Sequence, residues 1–195
     1  LGTQIFIYGL NLLLTQSRPI GTFYNVSEGF STFIKIGIQG IRIGNFLLPW
    51  LFFFAIVIGI VMSILYNHTK HGKYMYAIGG NEVAAEVSGV NVAFTKLKIF
   101  VLAGGLYGIA GFLLAAKTGS TGVNAGTGYE LEAIASATIG GVSTTGGIGR
   151  VRGVLLGVCI FELLKTSLQF LGVDPNMTYV VQGIVIVVSV ALDIR

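Results

Sequence analysis

Residues 46–66, FLLPWLFFFAIVIGIVMSILY, run for 21 positions without a charge. As a helix, such a stretch is long enough to cross a hydrocarbon core of about 30 Å. Pro49 falls in the expected first turn, where a missing N–H costs least, and Trp50 and Tyr66 lie near opposite ends, where amphipathic rings favour the interface. Residues 99–116 give another uncharged run of 18, with Lys96 and Lys98 at its entrance and Lys117 at its exit.

The rest of the chain fits the same solvent. Of its 195 residues 53% are hydrophobic and 10% charged, and the mean hydropathy is +0.83. A soluble domain carries about 25% charged residues, so a water-soluble globule is excluded as the reading. The 29 glycines are dispersed, as in membrane helices that pack closely on one another. Residues 153–171 and 177–192 are further expected spans, and residues 1–14 a partial one, so that the chain reads as starting inside a helix of a longer protein. The fold class expected is all-α, a polytopic transmembrane helical bundle.

One piece is too short to span. In TGYELEAIASATIGGV the apolar part, residues 133–142, has ten residues, which predicts a short or broken span over 128–142 of the kind tolerated where protein surrounds the freed backbone. Thr127 and Glu130 form a T-x-x-E capping box, and Glu130 with Glu132 sets negative charge near the positive helix end. With the 67–98 loop placed in the cytoplasm, that side holds Lys70, Lys73, Lys96, Lys98, Arg150, Arg152 and Arg195, and the other side Arg18, Lys35, Arg42 and Lys117. The bias agrees with the positive-inside rule. On the outer side Phe30, Phe33, Ile34, Gly37, Ile38 and Ile41 share one helical face, which predicts a surface helix.

Motifs for chemistry are missing. A net charge of +4 from so few groups makes no nucleic-acid footprint, and the lone Cys159 reads as a small buried hydrophobe. STTGGIGR, residues 143–150, lacks phosphate-loop spacing, and no nucleophile triad, metal cluster or paired catalytic carboxylates assemble. Two G-x-x-x-G pairs, Gly104 with Gly108 and Gly153 with Gly157, are expected helix contacts. Glu162 and Lys165, three apart on one expected span, are read as an intramembrane pair, either a satisfied structural pair or part of a pathway.

The basic 67–98 loop contains GGNEVAAEVSGVN. Asn81 is a good N-cap, Glu82 and Glu86 suit an early helical turn, Val83 and Val87 stack at i, i+4, and Gly89 is a natural stop. The expectation is a short helix whose alanine face, Ala84 and Ala85, either lies in a partner's groove or belongs to an ordinary loop helix.

AIGGNEVAAEVSGVNV, GTGYELEAIASATIGGVSTTGGIGRVRGVLLGV and LGVDPNMTYVVQGIVIVVSVALD resemble the permease subunits of bacterial ABC sugar importers of the ribose and galactose type, over essentially the whole chain. The opening LGTQIFIYGLNLL, FSTFIK and AEVSGVNV are most similar to the galactose and methyl-galactoside members. The resemblance implies about ten transmembrane helices, of which this chain would supply about six spans or part-spans as the C-terminal half. It implies a multi-pass protein of the bacterial inner membrane, a second permease subunit, a cytoplasmic ATPase carrying ATP and Mg, and an extracytoplasmic sugar-binding protein, with no cofactor on this chain. It also implies that Asn81, Glu82, Ala84, Ala85 and Gly89 seat on the ATPase, and that Thr127, Glu130 and Glu132 stand on a helix beside the pathway. An ion-coupled transporter, with Glu162 as its coupling group, and a membrane scaffold without transport are the readings from other classes.

Overall fold

The structure is a computed structural model that describes residues 2–16, 39–44, 46–119 and 121–193. Among these residues eight helices and one hairpin form, in the order α1 (Gly2–Thr15), β1 (Gly40–Ile43), β2 (Phe46–Pro49), α2 (Trp50–His68), α3 (Lys70–Gly80), α4 (Glu82–Val87), α5 (Val92–Thr118), α6 (Tyr129–Ile139), α7 (Val151–Phe170) and α8 (Pro175–Asp193). They belong to two compact units: Leu1–Ile56 with Ala103–Thr127, and Val57–Leu102 with Gly128–Arg195.

The long uncharged run starts its helix later than hydropathy alone suggests. β2 takes Phe46–Pro49 and pairs antiparallel with β1, Ile43 opposite Phe46 and Gly40 opposite Pro49. Pro49 has no N–H to give to a ladder, so it suits the last strand position directly before the helix. The N–H of Trp50 then donates to the Gln39 carbonyl at 3.1 Å, tying the helix start to the hairpin. The surface helix expected from Phe30 to Ile41 is corrected at its end, since Ile41 and Arg42 belong to β1; residues 30–38 lie outside the described residues.

α2 and α5 are long and apolar enough to cross a membrane. Both expose large apolar side chains around their girth, including Phe52, Val57, Ile60 and Val61 on α2, and Phe100, Val101 and Tyr107 on α5. A helix that is apolar all round is stable where lipid or other helices cover it. The α2–α3 turn is closed by Thr69, whose Oγ1 accepts the Gly72 N–H at 3.1 Å and donates to the Leu65 carbonyl at 2.6 Å.

In the second unit the interior forms where α6 packs on α7 and α8, with Ala135, Ser136, Gly157, Phe161, Thr178 and Gln182 buried. The helices touch through backbone. A Cβ on Gly140 would stand 2.5 Å from the Gly153 carbonyl oxygen, and one on Gly157 2.7 Å from the Gly140 nitrogen. The Gly153 and Gly157 pair therefore sits at a true crossing, whereas Gly104 and Gly108 meet nothing within 4 Å among the described residues. The spacing marks a flat face, but a contact also needs a helix laid against it.

Candidate functional site: a docking helix and an interhelical charge cluster

Asn81 ends α3 and begins α4. Its extended backbone (φ −158°, ψ 106°) breaks the helix, and its side-chain Oδ1 accepts the Ala84 N–H at 2.9 Å. Such a cap contributes about 1 kcal/mol, which a six-residue helix with little cooperativity needs. At the far end Ser88 donates to the Ala84 carbonyl at 2.7 Å, and Gly89, at φ +86°, takes the left-handed position that stops the helix. Glu82 meets Lys96 at 2.7 Å, an exposed pair that fixes α4 against the start of α5 more than it stabilises it.

The alanine face is split. Ala85 is 4% exposed and packs inward, while Val83 is 70% and Val87 85% exposed. The expectation that Ala84 and Ala85 together face a partner is thereby corrected: the small Ala85 lets α4 lie close on its own chain, and the outward apolar surface is the Val83 and Val87 pair, with Ala84 exposed beside them.

The last turn of α3 meets the STTGGIGR loop main chain to main chain. A Cβ on Gly79 would lie 2.5 Å from the Gly147 nitrogen, one on Gly146 2.6 Å from the Gly79 oxygen, and one on Gly147 2.7 Å from the Gly80 Cα. Gly146 and Gly147 both have positive φ, 102° and 72°. Only glycine meets both demands. One turn earlier on α3, the Tyr76 hydroxyl donates to the Gly149 carbonyl at 2.8 Å, and its ring meets Tyr66 edge-on, with centroids 6.0 Å apart. The glycine-rich loop that offers no phosphate chemistry is thus a fitted seat for the helix that carries α4.

The second feature lies among α6, α7 and α8. Lys165 Nζ donates to Glu132 Oε1 at 2.6 Å, and Gln182 Nε2 donates to the same oxygen at 3.3 Å. Glu132 and Lys165 keep 19% and 24% side-chain exposure, and Gln182 is 2% exposed, its Oε1 buried with no hydrogen-bond partner among the described residues. The partner expected for Lys165, Glu162 one turn earlier on α7, is corrected. Lys165 reaches across to α6, and Glu162 stands exposed. A contact between helices 33 residues apart removes Lys165 and Glu132 from solvent together, which the i, i+3 pair on one helix does not do.

The capping box is corrected too. Gly128, at φ +90°, is the N-cap of α6 with no side-chain cap, and Glu130 Oε2 accepts the Gly128 N–H at 3.1 Å. Neither half of the expected box forms as written: Glu130 reaches the Gly128 N–H instead of that of Thr127, which donates to the Asn124 carbonyl at 3.2 Å, and the Thr127 hydroxyl does not cap. Glu130 and Glu132 both stand in the first turn of α6, where the helix dipole favours them. Gln182 and Tyr76 were missed from sequence, although a lone Gln within an apolar run is a signal that a buried partner waits for it.

Compared with known proteins, residues 1–190 match the family described as branched-chain amino acid transport system / permease component. The chain belongs to this permease family. It is 42% identical over 194 residues to the galactose/methyl galactoside import permease protein MglC of Haemophilus influenzae, a match that covers 99% of this chain and 56% of that protein. The corresponding protein of Escherichia coli is 43% identical over 197 residues, again 99% and 56% of the two chains. The ribose import permease protein RbsC of Bacillus subtilis is 38% identical over 193 residues, covering 99% of this chain and 58% of that one. The chain spans about half the length of these relatives. No solved structure matches it. The permease chain is accordingly an all-α, polytopic membrane protein, and its relatives are transport permeases.

Proposed function

We propose that this chain is part of the transmembrane permease of a binding-protein-dependent ABC importer for galactose or methyl galactoside, in the bacterial inner membrane. The observation that carries the reading is the identity of 42% and 43% to two galactose/methyl galactoside import permeases over 99% of the chain. Ribose or another sugar is the second reading, favoured by the 38% identity to a ribose import permease over the same share. In the intact assembly two permease subunits pair, a cytoplasmic ATPase binds ATP and Mg, and an extracytoplasmic sugar-binding protein delivers the ligand.

Within that assembly α4 docks on the ATPase through Val83, Ala84 and Val87, with Asn81 and Gly89 defining its ends and Glu82 bracing it on Lys96. The Gly79 to Gly147 contact supports α4 from behind. Thr127, Glu130 and Glu132 stand at or before the start of the short α6, beside the pathway, and Lys165 neutralises Glu132 there. The test is uptake of labelled galactose, methyl galactoside and ribose into vesicles holding the complete permease, its ATPase and its sugar-binding protein. ATP-dependent uptake of the galactosides without any ion gradient supports the reading; uptake that needs a proton or sodium gradient and ignores ATP overturns it, and preference for ribose moves it to the second sugar.

A further inference from the structure

Polar side chains on α1 are not scattered. Gln4, Tyr8, Asn11 and Thr15 follow one another at intervals of four, three and four, so they fall in one stripe down a helix whose other residues, apart from Thr3 in its first turn, are apolar or glycine. A polar stripe on a membrane helix is costly against lipid and is found facing protein or a water-filled space. Across from it, within the same compact unit, the chain after α5 makes two consecutive turns, Ala125 N–H to Gly122 carbonyl at 3.0 Å and Thr127 N–H to Asn124 carbonyl at 3.2 Å. Gly126, at φ +90°, lets them follow so closely. The Tyr8 hydroxyl donates to Asn124 Oδ1 at 3.1 Å, joining helix and turn. Between them is a cavity of about 570 Å³ lined by Gln4, Ile5, Tyr8, Asn124 and Thr127.

We propose that this cavity is a binding subsite for a neutral polyhydroxylated ligand, a monosaccharide, within the path of the permease. The proposal rests on the sugar-import reading and adds to it a place and a set of contacts. Two carboxamides and two hydroxyls each offer both donor and acceptor capacity, which matches sugar hydroxyls that must do both, and the Tyr8 ring offers an apolar face for ring C–H groups. Among the described residues no charged side chain lines the cavity, so a phosphorylated or carboxylated solute finds no counter-charge among them. An apolar solute would leave the Gln4 carboxamide and the Thr127 hydroxyl facing it without partners, which is costly. The volume lies in the range of about 300 to 1,000 Å³ typical of small-molecule sites and exceeds what one hexose fills, as suits a passage that must release its cargo.

The test uses the complete permease with its ATPase and sugar-binding protein in vesicles, with native cysteines, Cys159 included, replaced by serine. Single cysteines are placed by Asn124→Cys and, separately, by Gln4→Cys, a second lining position, exposed on α1, that reports on the cavity if the first variant assembles poorly. A small thiol-reactive methanethiosulfonate is applied during ATP-driven turnover. Galactose is expected to slow labelling of both cysteines about fivefold or more, and galactose 1-phosphate is expected not to. In the native-cysteine protein, Asn124→Ala should lower maximal uptake by about five- to tenfold, the loss of one or two hydrogen bonds to the moving sugar. Active uptake with no protection at either position overturns the subsite and leaves the import reading standing. Equal protection by galactose 1-phosphate overturns the neutral-ligand assignment. Failure of the unaltered complex to take up sugar with ATP removes the import reading, and the subsite with it.

Discussion

Replacing Lys165 by alanine tests whether the α6–α7–α8 cluster is an interhelical ion pair. The substitution leaves the Glu132 carboxylate one-fifth exposed, with the 3.3 Å bond from Gln182 as its remaining side-chain donor. Removing one partner of a fully buried pair costs about 3 to 5 kcal/mol, and the residual exposure of both groups reduces this to roughly 1 to 3 kcal/mol. The matched double substitution, Glu132→Gln with Lys165→Met, removes both charges while keeping most of the volume, and should recover most of that loss. Glu162→Gln, altering an exposed carboxylate, should shift stability by less than about 0.5 kcal/mol. The assay is equilibrium unfolding of the intact permease in mixed detergent micelles, read as a double-mutant cycle. Coupling between positions 132 and 165 near zero, or a larger loss for Glu162→Gln than for Lys165→Ala, would refute the geometry described and restore the pairing along α7.

Three further outcomes follow from the same contacts. Val83→Asp with Val87→Asp should abolish ATPase co-purification while leaving the permease folded, since both side chains are exposed, whereas Ala85→Trp should lower stability by about 1 to 3 kcal/mol because Ala85 is buried; intact ATPase retention in the Asp variant would remove α4 from the docking surface. Gly147→Ala, at φ +72° with main chain 2.7 Å from the new Cβ, should open the loop to limited proteolysis, and Gly104→Ala, which meets nothing within 4 Å among the described residues, should not; equal protease sensitivity of the two would contradict the close approach. Asn81→Ala should cost about 1 kcal/mol and raise amide exchange across residues 82–87, while Thr127→Val should leave exchange at the start of α6 unchanged, because its hydroxyl does not cap that helix.

What could be read from sequence divides along a physical line. Properties set by a single segment were legible: the apolar length of residues 46–66, apart from the strand at Phe46–Pro49, and of residues 99–116, the helix stop at Gly89, the Asn81 cap, and the shortness of α6 all follow from local composition. Properties set by which segments meet were not. Lys165 has a carboxylate one turn away on its own helix, and nothing local says that one across the interface wins. Ala84 and Ala85 are identical in sequence terms, and packing alone decides that one turns inward. The hairpin is a different case, for Gly44-Asn45 between GIRI and FLLP is a two-residue hairpin signal that the long apolar run overshadowed.

The seat of α3 on the 143–149 loop has a mechanical consequence. α3 is 11 residues long, about 16 Å at helical rise, running from its cap at Thr69 to Gly79 and Gly80, which touch the loop at the end from which α4 departs. Gly79 and Gly80 stand directly before Asn81, so a displacement applied to α4 bears on the loop at the next residues of the chain. Here main chain bears on main chain at Gly79, Gly146 and Gly147, and the Tyr76 hydroxyl adds a bond to the Gly149 carbonyl. The junction therefore has no room for a side chain at Gly79, Gly146 or Gly147, whereas residues of α3 that do not touch the loop can change without opening it.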